Sequence, residues 1–133
     1  MPLPRLHCPQ VWMRTMPKKY MQHKVDGRYS FYRGRWRIDV VRMGGEDAEM
    51  AIMIRNLVEF HLVRKFGLNP RKIQTIDRMI GRERATGKWE IDIEEESLYA
   101  KAHRMAVEME KIFCDKVGLD WQKYQEQIIK FFD

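Results

Sequence analysis

"GRYSFYRGRWRIDVVRMGGEDAEMAIMIRNLVEFHLVRKFG", Gly27 to Gly67, changes its hydrophobic period once, and that change sets the fold. Tyr29 and Phe31 alternate with Ser30, and Trp36, Ile38 and Val40 alternate with Arg37 and Asp39. A period of two places alternate side chains on opposite faces of a strand. "YRGR" holds the glycine that a tight turn wants, so residues 28–43 read as a β-hairpin with one aromatic and aliphatic face and one basic face. Past Gly44 and Gly45, the acids Glu46 and Asp47 stand where a helix start leaves N–H groups unsatisfied. Apolar residues then recur at helical spacing until Gly67 supplies a left-handed stop, giving a helix over about 47–66.

The same signals repeat downstream. Asn69 as cap, Pro70 in the first turn and Gly81 after the end predict a helix over 70–80 with Ile73, Ile76 and Ile80 buried. A long helix over about 95–117 is expected to bury Leu98, Ala102, Met105, Met109, Ile112 and Phe113, with Gly118 closing it. Asp120 then caps a last helix, 120–132, whose Trp121, Tyr124 and Ile128 face inward. Upstream, four of the five prolines fall at positions 2, 4, 9 and 17. Proline fixes φ and removes a donor, so residues 1–27 read as an extended basic arm. The expected architecture is α+β: an arm, then a single domain over 28–133 with the hairpin packed on a three- to four-helix body.

At 133 residues the chain fits one domain, and 44% hydrophobic with 33% charged residues excludes a disordered or membrane-spanning class. No apolar run approaches the roughly 20 residues of a bilayer span. The first twenty residues hold no continuous apolar core of a secretory leader. Cys8 and Cys114 match no zinc or redox spacing, which suits reduced thiols in a cytoplasm.

The net charge of +6 is uneven: residues 1–43 hold ten Lys and Arg against Asp26 and Asp39. Such a front is built to meet something anionic, either nucleic acid or an acidic protein face. The candidate contacts are Lys18, Lys19, Lys24, Arg28, Arg33, Arg35 and Arg37. Arginines among aromatic rings suit nucleic acid. Yet no helix-turn-helix, RNA-binding aromatic motif or zinc-finger spacing accompanies them, and the rings read better as the buried face of the hairpin.

Within the first helix, Arg55, Asn56 and Glu59 occupy the i, i+1 and i+4 positions that metal hydrolases of the His-Glu-x-x-His type use. Side chains four apart can grip one ion, and the residue between holds the base beside its bound water. The succession "GRYSFYRGRWRIDVV", "IRNLVEFHLVRKFGL" and "LYAKAHRMAVEMEKIFCDKVGLDWQKY" resembles a group of small phage and prophage proteins. Their pattern is a hairpin, a His-Glu-Leu-Val-Glu helix ahead of a glycine stop, then a later His, a Glu and a Gly-Val-Asp-Trp…Tyr ending. The likeness runs from about Arg28 to Tyr124 and implies a zincin-like core with a metal site in typical members. Leu57, Val58, Glu59, Gly67, Leu68, His103, Glu110, Gly118, Leu119, Asp120, Trp121 and Tyr124 match that pattern.

The departures fall on the chemistry. Arg55 stands in place of the first histidine and Asn56 in place of the glutamate base. Arginine cannot release its proton to coordinate a cation, and asparagine cannot take one from water. The expectation is a vestigial site in which Arg55 pairs with Glu59, its guanidinium standing where an ion would have neutralised the carboxylate. An ordinary exposed helix pair is the competing reading. His103 is a residual third ligand or a hydrogen-bonded core histidine, and Asp77 is a further acid. No catalytic residue, metal or cofactor is therefore expected. The function expected is that of a cytoplasmic, non-catalytic phage-type accessory protein, an inhibitor or adaptor that grips a host or phage protein. Nucleic-acid binding, and metal-dependent hydrolysis through Glu59, Asp77 and His103, are the alternatives; no membrane role is expected.

Overall fold

The computed structural model describes residues 11–21, 26–69 and 93–132. Three strands, β1 (Val11–Met16), β2 (Gly27–Tyr32) and β3 (Arg35–Val41), form a sheet in the order β1-β3-β2. A short 3-10 turn, Lys18–Tyr20, follows β1, and three helices complete the described chain: α1 (Glu46–Lys65), α2 (Ile93–Val117) and α3 (Trp121–Phe132). The fold class is α+β. The helix expected over 70–80 lies outside the described residues.

β2 and β3 are antiparallel and joined through Arg33 and Gly34, whose φ angles of 49° and 77° make the two-residue turn. Within the stretch expected as an extended basic arm, residues 11–16 join the sheet. They form β1, parallel to β3, with Val11 opposite Trp36 and Met16 opposite Val41. An extended, proline-flanked segment needs only a neighbour to complete its hydrogen bonds, and the central strand supplies one.

One face of the sheet builds the core. Tyr29, Ile38 and Val40 are buried in one cluster with Ala48, Ala51, Ile52, Phe60 and Val63 of α1. The Phe60 ring lies 5.6 Å from that of Tyr29 and 5.1 Å from that of Trp36. β2 crosses α1 closely at Gly27, where an added Cβ would lie 2.9 Å from Ile52 Cγ2 and collide with Asn56 Nδ2. Only glycine allows that approach.

α2 packs mainly on α1, through only part of the expected stripe: Ala102 is buried and Phe113 packs against the core. Leu98, Met105, Met109 and Ile112 are 38–52% exposed, whereas Ala102, Ala106, Glu110 and Cys114 are fully buried. The buried row repeats every four residues, so small side chains and one carboxyl line the face toward α1. α3 returns to the core as expected, with Tyr124 buried and Trp121 and Ile128 packed against the cluster. Asp120 accepts a hydrogen bond from the Lys123 N–H at 2.9 Å and caps it.

Candidate functional site

Two polar clusters lie beneath α1. In the first, Arg55 donates through Nη1 to Glu110 Oε2 at 3.1 Å and through Nη2 to Asp26 Oδ1. Tyr124 of α3 donates its hydroxyl to the same Glu110 oxygen at 2.5 Å. Burial alone would pull the guanidinium's pKa down, but the Asp26 and Glu110 charges outweigh it and hold it above its ordinary value. Burial raises the Glu110 carboxyl, with Arg55 and the Tyr124 hydroxyl opposing. Burial, then the Glu110 charge, raises the Tyr124 phenol. One turn further along α2, burial pushes the Cys114 thiol up to about 11, so it is no nucleophile near neutrality.

In the second cluster Glu59 accepts from the Tyr29 hydroxyl at 3.0 Å, and its other oxygen meets His103 Nδ1 at 2.9 Å. The carboxyl is nearly buried while the imidazole is half exposed. Asn56 turns its amide back to the Ile52 carbonyl at 2.9 Å, filling the space beneath Gly27.

The expected Arg55–Glu59 pair is therefore corrected. Each residue goes to a different partner, because Asp26 and Glu110 surround the guanidinium while Tyr29 and His103 flank the carboxylate. The structure does bring Glu59 and His103 together; Asp77 lies outside the described residues. Among the described residues, no group of three His, Cys, Asp or Glu gathers as metal ligands would. Asp26, Tyr29, Glu110 and Tyr124 were not anticipated as partners here. Two signals point to Glu110: its match to the phage-type pattern and its place in the four-residue row of small side chains on α2.

The outer face of the sheet is a third site, made by the alternation that builds the core on the other side. Arg14 of β1 and Arg28 of β2 sit opposite Asp39 of β3. Arg14 Nε lies 2.7 Å from Asp39 Oδ1, Arg28 Nε 3.2 Å from Oδ2, and Arg37 Nε 3.2 Å from Oδ1. Asp39 is completely covered, yet half of the Arg14 side chain remains exposed. Arg35 lies with its guanidinium carbon 4.8 Å from the centre of the Trp12 ring, which is 57% exposed. Among the described residues, four guanidiniums and one carboxylate make this face positive.

Of the other basic residues singled out, Arg33 is at the hairpin turn, while Lys24 lies outside the described residues. Lys18 donates to the Phe131 carbonyl at 2.6 Å and Lys19 lies over the Tyr20 ring. An open depression of about 390 Å³ lies where Thr15 and Arg42 meet Glu46 and Glu49 of α1, and no residue of the clusters lines it. Among the described residues no helix is long and apolar enough to cross a membrane.

The comparisons with known proteins, whether family models, curated proteins or solved structures, give no match.

Proposed function

We propose that this chain is a non-catalytic, phage-type accessory protein that acts by gripping an acidic protein partner with the outer face of its sheet. The single observation that carries this reading is the convergence of Arg14, Arg28 and Arg37 on one covered carboxylate. Asp39 fixes the guanidiniums in place while Arg14 stays half exposed and Arg35 lies over the open Trp12 ring, so the face is ordered and still presents positive charge. Ordered arginines lose less freedom when they bind carboxylates than mobile lysines do. The engagement of Arg55 and Asn56 in internal contacts supports the non-catalytic part of the reading.

The test is capture from a host lysate, comparing the wild-type chain with an Arg33→Glu/Arg35→Glu variant. The expected outcome is one stoichiometric protein, resistant to nuclease, lost with the variant and weakened by salt. Retention of nothing specific would overturn the reading. The exposed Trp12 ring beneath Arg35 favours a second reading, single-stranded nucleic acid stacked on that platform. Nuclease-sensitive material lost with the same variant would establish it.

A further inference from the structure

β1 is an edge strand: its one neighbour in the described sheet is β3. Six residues long, it leaves Trp12 57% and Met13 48% exposed although their side chains point to opposite faces. Both faces are thus open at this edge, unlike at β2, where Tyr29 is buried. Met16 lies opposite Val41 and accepts a hydrogen bond at its carbonyl from the Arg42 N–H at 2.8 Å, so Met16, Arg14 and Trp12 turn their backbone groups toward β3. Val11, Met13 and Thr15 consequently turn theirs toward the open edge. Exposed edges with apolar side chains and unpaired backbone groups are templates for another strand.

Resting on the function proposed above, we infer that β1 receives an extended acidic segment of the partner protein as a fourth strand of this sheet. Charge decides between occupants. A second copy paired edge to edge would bring two Arg14 side chains and two arginine faces together, which is repulsive. A segment with carboxylates at alternate positions lays them along Arg14 and beside the Trp12–Arg35 pair. Its intervening apolar residues then fall beside Met13 on the core face. Backbone hydrogen bonds would supply affinity and the alternate carboxylates specificity.

The experiment uses the full chain and a ten-residue peptide of alternating Glu and Val. Two further versions are N-methylated, one at every Val and one at every Glu. Residues alternate in the edge to which they donate, so strand addition predicts that one version binds at least tenfold more weakly and the other binds like the parent. Which one fails gives the strand direction. Amide exchange at Met13 and Thr15 should slow on binding, and Met13→Pro, which removes an outward N–H, should match the failing peptide.

Parent peptide binding with both N-methylated versions unaffected would overturn strand addition. If Arg33→Glu/Arg35→Glu still abolished that binding, the arginine face would stand as the contact. A single-stranded oligonucleotide of equal charge outcompeting the peptide would overturn both statements. Self-association lost in Met13→Pro would make a second copy the occupant.

Discussion

Arg55 and Glu59 stand one turn apart on α1 and serve different clusters, Arg55 joining Asp26 to Glu110 while Glu59 joins Tyr29 to His103. α1 is thereby pinned to β2 and α2 by polar contacts as well as by packing. Arg55→Met would leave Glu110, 1% exposed, without its counter-ion. Removing one partner of a buried pair costs about 3–5 kcal/mol, because the remaining charge is stranded. Urea unfolding should show a loss of that order, partly recovered in Arg55→Met/Glu110→Gln. A loss below about 1 kcal/mol would mean that water reaches the pair.

The raised pKa of Glu110 fixes the sign of a pH effect. A carboxyl whose folded value exceeds its unfolded one carries no penalty while protonated in both states. The penalty grows as pH climbs from about 4.5, the ordinary value, through the raised folded value. Wild type should therefore lose stability relative to Glu110→Gln as pH rises across that window. Unfolding of both chains at pH 4 and pH 8 measures it; a difference that is constant or reversed contradicts the assignment.

At Gly27 the prediction is steric. Alanine there places a Cβ 2.9 Å from Ile52 Cγ2 and against the Asn56 amide. Overpacking of this kind costs about 1–3 kcal/mol. Asn56→Ala removes the nearer obstacle, so Gly27→Ala should be less costly in that background than in wild type. A double-mutant cycle reads the coupling directly.

The local part of the fold was legible in the chain. Alternation at Tyr29, Phe31, Trp36 and Ile38, and the left-handed glycines Gly67 and Gly118, gave the hairpin and helix ends. β1 was not legible, because parallel pairing between Val11–Met16 and β3 is set by distant chain and leaves no turn signature. The buried face of α2 was legible only in part, at Ala102 and Phe113, for a different reason. Hydrophobicity carries the stripe from Ala102 on to Leu98, Met105 and Ile112, but close helix contact favours Ala106 beside Ala102, and Glu110 enters the interior only because Arg55 and Tyr124 meet it. Those partners lie on other elements, so no local pattern reveals them. The arginines of the outer face were visible in the chain, while the role of Asp39 as their common anchor was not.

That correction has a direct test. Ala106→Leu forces a larger side chain between α1 and α2 and should cost about 1–3 kcal/mol. Ile112→Gln, at a position 52% exposed, should change stability by no more than about 0.5 kcal/mol. The opposite ranking in thermal or urea unfolding would restore the apolar stripe as the packed face.

Asp39 separates holding the arginine face together from using it. Asp39→Asn keeps the shape but removes the charge shared by Arg14, Arg28 and Arg37, leaving three guanidiniums to repel one another. A hydrogen bond to a charged group contributes about 1.5–3 kcal/mol, and partial exposure of the arginines lowers the total. The variant should therefore unfold about 1–3 kcal/mol more easily at low salt. Added salt screens the repulsion and should narrow the gap to wild type. Binding should move the other way, since the face gains one unit of net positive charge: the folded variant should hold the alternating Glu and Val peptide more tightly than wild type at low salt. A variant that loses stability and peptide affinity together would show that Asp39 aligns the guanidiniums more than it neutralises them, and that geometry rather than surplus charge governs the contact.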